Sequence, residues 1–362
     1  MTVGFFAPLP PARTGVADYA GALLRALRKY GDVKVDSAGD IALYHVGNNQ
    51  LHGAIYDRAL AHPGIVVLHD AVLQHFFLGR LTARQYVDEF IFNYGEWTRS
   101  LAEDLWRHRA RSAADPRYFA RPMLKRIAAT SRAIIVHNPA AAAMVRRHAP
   151  EVRIVEIPHL FAAREMPSVV DTLRFRSDLG LGPRTLLTAV FGHQRESKRL
   201  PVVLRALQRV WNGADARLLI AGSFVSSDLE RSLAGQLSDP RIIRVGYLEE
   251  PDFWRYAAAA DLCINLRYPT AAETSGIAIR LMGIGKPVVF SDGAEIARIP
   301  DNACLRVEMG PGEEEMLAAY IAWLARDREA AEKIGQRAAA HIAAHHDLET
   351  VAEEYWHALK GI

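Results

Sequence analysis

Leu186-Leu187-Thr188-Ala189-Val190-Phe191 runs into Gly192-His193-Gln194-Arg195-Glu196-Ser197-Lys198-Arg199 and then into Leu200–Val210. A six-residue apolar run, a polar turn and an amphipathic stretch at helical spacing are the opening of a βαβ unit. The same rhythm continues on the C-terminal side, with strand candidates at Arg217–Ala221, Ile242–Val245, Leu262–Leu266 and Val288–Phe290. Helical patterns at Ser227–Leu237, Asp252–Ala259 and Ile277–Gly283 separate them. Towards the N-terminus an earlier copy of the rhythm runs through Val3–Phe6, Tyr19–Tyr30, Ile41–Val46, Gly64–Leu68, Ile134–Val136 and Val152–Ile157. Strands alternating with helices imply parallel sheets, so the expected fold is α/β, with two Rossmann-like doubly wound domains facing across a cleft.

The chain has 362 residues, more than one core usually organises, which agrees with two domains. The expected division is an N-terminal domain over 1–165 with a helical insertion near 83–130, a second domain over 166–345, and a closing helix over 346–362. That helix is expected to return to the first domain. Residues 159–183, rich in Arg, Pro and Gly, read as an irregular connection. In the insertion, Phe90, Phe92, Tyr94, Trp97 and Trp106 stand close to Arg107, Arg109 and Arg111. Packed aromatics of a helical pair explain this, and so does a surface for an acceptor or a membrane.

A net charge of +3 accommodates anionic ligands without calling for nucleic acid. Cys263 and Cys304 lie in apolar stretches outside any zinc-type spacing, as expected of a reducing compartment. No leader or membrane-length apolar run is visible, so a cytoplasmic protein is expected, with peripheral contact to the inner membrane face left open.

Chemistry concentrates at four places. Gly15 and Val16, in Thr14-Gly15-Val16-Ala17-Asp18, open a helix where backbone N–H groups can meet phosphate or a sugar hydroxyl, although an ordinary helix cap would use the same residues. His69 ends the strand Ile65–Leu68 and faces the cleft or packs there. His193, Arg195, Lys198 and Arg199 crowd one strand-to-helix turn, which suits a diphosphate leaving group as well as a solvated basic turn. In Arg267–Gly276, Thr274 and Ser275 can cap the following helix while its free N–H groups take a phosphate. Glu273 can accept from sugar hydroxyls or serve only as a first-turn acid. P-loop, GxGxxG, HExxH and Asp-x-Asp patterns are absent, which argues against ordinary kinases, dehydrogenases and a carboxylate-held metal.

Together these segments resemble family 4 of the retaining glycosyltransferases, which have the GT-B fold. The resemblance rests on PxPPxxTGVADYA at the N-terminus, YHVGNN at 44–49, PGIVVLHD at 63–70, IIVHN at 134–138, FGHxxxSKRL at 191–200 and LRYPTAAETSGIAIRLMGIGKPVVFSD at 266–292. It implies that Gly15 lies by the donor phosphates, His69 near the transferred sugar, Lys198 on the diphosphate and Glu273 on the sugar hydroxyls. Thr274, Ser275, Gly276 and Ile277 would form the phosphate-facing helix start. The implied catalytic set is His69, Lys198 and Glu273, with a UDP- or GDP-sugar donor and no cofactor or metal.

Three positions depart from the family pattern. His193 stands where the family has Arg, which moves the second phosphate cation to Arg195. Arg280 stands seven residues after Glu273, where a second Glu would hold the ribose; this matches an ETSG…R subgroup and turns Arg280 towards phosphate. Ala272 replaces a common Gly. The activity implied is transfer of a sugar to an acceptor hydroxyl with retention, in polysaccharide, glycolipid or natural-product glycoside synthesis, the acceptor being a saccharide, a lipid-linked sugar or a small molecule. A nucleotide-sugar 2-epimerase-like enzyme and a non-catalytic nucleotide-sugar binder are the alternatives.

Overall fold

The computed structural model describes residues 1–362. Its first sheet comprises β1 (Thr2–Phe6), β2 (Asp32–Val35), β3 (Ile41–Val46), β4 (Ile65–Leu68), β5 (Ala133–Val136) and β6 (Ile154–Glu156). The second comprises β7 (Leu186–Phe191), β8 (Ala216–Ala221), β9 (Ile242–Val245), β10 (Leu262–Asn265), β11 (Val288–Ser291) and β12 (Leu305–Val307). The orders are β2-β1-β3-β4-β5-β6 and β12-β11-β10-β7-β8-β9. Every pairing is parallel. β4, β5 and β7 are buried along their whole length, because helices cover both faces of a parallel sheet and leave no room for polar alternation. Each sheet therefore has a hydrophobic core on both sides.

In each sheet the strand order reverses once, between β1 and β3 in the first and between β7 and β10 in the second. Such reversals open a crevice at the carboxyl ends of the strands. The loop into Gly15 leaves β1, while Gly192–Lys198 and Arg267–Gly276 leave β7 and β10.

The chain crosses between the sheets twice, and the crossings lie side by side: Phe161 N–H donates to His346 O at 2.6 Å. The final helix, Leu348–Lys360, then packs on Gly15–Leu27, with the hydroxyls of Tyr19 and Tyr355 2.8 Å apart. The expectation of irregular chain over 159–183 is corrected by a helix at Val169–Asp178, capped by Ser168. It buries none of its residues, so no apolar stripe marked it. Two strands lie outside the expected set, β2 and β12, the former with exposed Asp32 and Lys34 around a single buried Val33 and the latter only three residues long.

In the insertion the aromatics divide. Phe90 is buried and Tyr94 and Trp106 pack on the first core, whereas Phe92 and Trp97 face outward, Trp97 at 82% exposure. No helix is long and apolar enough to cross a membrane.

Candidate active site

β7 ends in Gly192, whose φ of 83° is a left-handed conformation that favours glycine. A Cβ there would lie 2.6 Å from Ile277 Cδ1 and 3.2 Å from Lys198 Nζ. The glycine thus lets the Lys198 ammonium sit directly against the backbone, where it donates to Phe191 O. Lys198 is 7% exposed and has no carboxylate partner. Burial first, then the charges of Arg267 and Arg195, push its pKa well below the usual lysine range. A desolvated ammonium among other cations is a costly arrangement that an anionic ligand would relieve.

Arg267, from the loop after β10, completes this cluster. Its Nε lies 3.3 Å from Glu273 Oε1. Glu273 also works inside its own loop, accepting from Ala271 N–H at 2.8 Å and from Thr270 Oγ1 at 3.2 Å. The next helix, Gly276–Gly283, is N-capped by Ser275, whose Oγ accepts from Ala278 N–H at 3.3 Å and donates to Asn265 Oδ1 at 3.1 Å. Gly276 faces the crossing segment, since a Cβ there would meet His159 Nε2 at 2.9 Å.

The first domain grips this loop. Ala71 N–H donates to Ala271 O at 2.8 Å, and Asn138 Nδ2 donates to Ala272 O at 2.8 Å and to Thr274 Oγ1 at 2.9 Å. Ala272 is 2% exposed within the first domain's core and has a φ of 54°. A left-handed alanine costs roughly 1–2 kcal/mol, and a buried methyl contributes about 0.8 kcal/mol. Ala272→Gly should therefore change the unfolding free energy by no more than about 1 kcal/mol, measurable by denaturant titration.

Gly15 and Val16 open the helix Gly15–Leu27, with Thr14 as N-cap, and a Cβ on Gly15 would meet nothing within 4 Å. This helix mouth faces the second domain: Arg13 pairs with Glu249 at 2.9 Å and lies over Tyr247. Arg195 and His193 are exposed on the turn that holds Lys198. Burial and the charges of Arg195 and Lys198 lower the His193 pKa, which makes a neutral ring the favoured form.

Arg280 stands apart. Its guanidinium lies over Phe253 and Trp254 and reaches Glu250 at 3.4 Å, and it acts electrostatically on Asp18. Arg280 thus lies among aromatic and acidic neighbours and beside Asp18 of the helix that Gly15 opens.

His69 sits in a buried ring cluster with Tyr19, His45 and His137, its Nε2 2.9 Å from His45 Nδ1. Burial keeps its pKa well below the usual histidine range. The neighbouring Asp70 joins the cleft charges instead. Its Oδ2 accepts from Asn48 N–H at 2.8 Å. Desolvation, then Glu273, raise its pKa to about 6 against the opposing pull of Asn48, Arg195 and Arg267. Asp70 closes the PGIVVLHD stretch, and its signal in the sequence is an acid just beyond a buried strand.

A carboxyl raised above its unfolded value stabilises the fold below about pH 4 and loses that contribution as pH rises through 6. Asp70→Asn, which mimics the protonated form, should melt above the parent at pH 7 and converge with it at pH 4. Parallel melting curves across that range would contradict the assignment.

Residues 183–327 match the family described as glycosyl transferases group 1. No curated protein sequence matches the chain. Among solved structures, HepE from Anabaena, in complex with UDP-glucose, is similar with a TM-score of 0.69 at 15% identity, covering 100% of both chains. Sucrose-phosphate synthase from Thermosynechococcus elongatus has a TM-score of 0.67 at 15% identity, covering 100% of this chain and 98% of its own. WaaG, a glycosyltransferase involved in lipopolysaccharide biosynthesis, has 0.61 at 14% identity, over 99% of this chain and 100% of its own. The fold is GT-B. In this GT-B chain the group 1 match spans β7 to β12, and so includes both loops that carry Lys198, Arg267 and Glu273.

Proposed function

We propose that this chain is a metal-independent retaining glycosyltransferase of family 4 that moves a sugar from a nucleoside diphosphate to an acceptor hydroxyl. The observation that carries the reading is the buried Lys198 ammonium beside Arg267, at the strand-order reversal and next to the Gly276–Gly283 helix start. Charge that develops on a departing diphosphate would be met by Lys198, Arg195 and helix N–H groups already in place, the usual large term in such catalysis. Glu273, fixed by Ala271 and Arg267, would present its remaining acceptor capacity to sugar hydroxyls. The anomeric C–O bond to the diphosphate breaks, a bond to the acceptor oxygen forms, and the acceptor proton passes to the leaving phosphate. The HepE complex with UDP-glucose favours trying UDP-sugars before GDP-sugars.

The test has two stages. UDP-, GDP- and ADP-sugars are screened for a rise in melting temperature, and the stabilising donor is incubated with candidate acceptors and the product's anomeric configuration read by NMR. A product with the donor's configuration is expected. An isomerised nucleotide sugar with no acceptor attached would establish an epimerase, and binding without turnover would establish a non-catalytic binder.

A further inference from the structure

A second part of the interdomain cleft is open as well. At the carboxyl ends of β5, β6, β10 and β11 lies a cavity of about 410 Å³, within the roughly 300–1,000 Å³ range of small-molecule sites. Its walls come from both domains and share Arg267, Glu273, Thr274 and Ser275 with the candidate donor site, while no residue of the Lys198 turn lines it.

The charge on these walls is already largely compensated. Arg298 pairs with Glu156 across the domain boundary, Arg267 with Glu273 at 3.3 Å, and Arg306 with Asp292 at 3.1 Å. What remains is one unpaired carboxylate and two histidine nitrogens. The His137 Nδ1–H donates to Ile157 O at 3.0 Å, which leaves Nε2 as an acceptor; that atom is buried without a partner, and His137 is 7% exposed on the cavity wall. His341, from the second domain, also lines the cavity, and its Nε2 is likewise buried and unpartnered. Glu295 is a wall carboxylate with no cation bound to it, and carboxylates are strong acceptors for hydroxyl groups. Phe290, Ile296 and Ile299 supply apolar surface between these acceptors.

Two unpartnered histidine nitrogens, one free carboxylate and apolar patches suit a ligand rich in hydroxyl groups, which donate and accept, uncharged, and with C–H faces. We infer that the cavity binds a neutral saccharide of one or two rings, held between His137 of the first domain and His341 and Glu295 of the second. Because such a ligand touches both domains, it would favour the arrangement in which they are closed on each other.

Glucose, galactose, mannose, maltose and cellobiose serve as probes, with binding read by saturation-transfer NMR and calorimetry, with and without UDP. At least one should bind, and its affinity should fall tenfold or more in His341→Phe, which keeps the ring and removes the nitrogen, and in Ile296→Trp, which fills the space. UDP affinity should stay within twofold of the parent in both variants. Absence of binding by every probe, or binding that survives both substitutions, overturns the inference. Loss of UDP binding in the parent would instead sink the proposed donor site and leave the saccharide result standing. Incubation with donor then separates an acceptor, recovered with an added sugar, from an effector, recovered unchanged.

Discussion

Lys198→Met should lower kcat/KM by about 10²–10³-fold, the usual consequence of losing one preorganised donor to developing charge, while raising the melting temperature of the ligand-free protein. The opposed signs follow from one fact. The ammonium is buried against Phe191 O with Arg267 and Arg195 nearby and no carboxylate of its own. Methionine keeps the volume and removes an uncompensated charge, which relieves the folded state. A pH series adds a second reading. Lys198 has a folded pKa below its unfolded value, so the unfolded chain binds the extra proton between the two. Parent stability should therefore rise with pH from the depressed value towards 10.5, a slope the methionine variant lacks. Unchanged turnover in Lys198→Met would remove the basis of the functional reading, and a lower melting temperature would show that the buried charge is compensated.

Glu273→Ala should also cost turnover by about 10²-fold or more, but with the opposite effect on stability. Its carboxylate accepts from Ala271 N–H and Thr270 Oγ1 and neutralises Arg267. Removing it leaves a half-buried guanidinium without its carboxylate and a loop N–H without a partner, a loss on the order of 1–3 kcal/mol. Glu273→Gln keeps one oxygen for Ala271 N–H and should recover part of the stability but little of the turnover. Calorimetric melting and steady-state kinetics on the three proteins separate the outcomes. If Glu273→Gln retained parental kcat/KM, the charge of Glu273 would have no part in catalysis.

The readable parts of the site were the short-range ones. Gly192 follows a buried strand and precedes a helix, so its position at a strand end could be read from periodicity. The helix cap at Ser275 could be read from its place before Gly276, because capping depends on atoms three residues away. The helix Val169–Asp178 was missed for the converse reason: it has no buried face, and only Ser168 with Asp171 marked its start. The neighbours of Arg280, namely Phe253, Trp254 and Glu250, belong to a helix that sequence spacing does not connect to it.

By itself, then, the sequence determined the two alternating α/β halves, the strand ends and the helix mouths, since strand period, helix period and capping are set by neighbouring residues. Only the tertiary structure decided which charges meet. Asp70 was brought to Glu273 and Arg267 by closure of one domain on the other, as the bonds from Ala71 and Asn138 to the Ala271–Thr274 loop show. Packing also set His69 against the rings of His45 and Tyr19. Electrostatic energies depend on distance and burial, and both are properties of the packed chain.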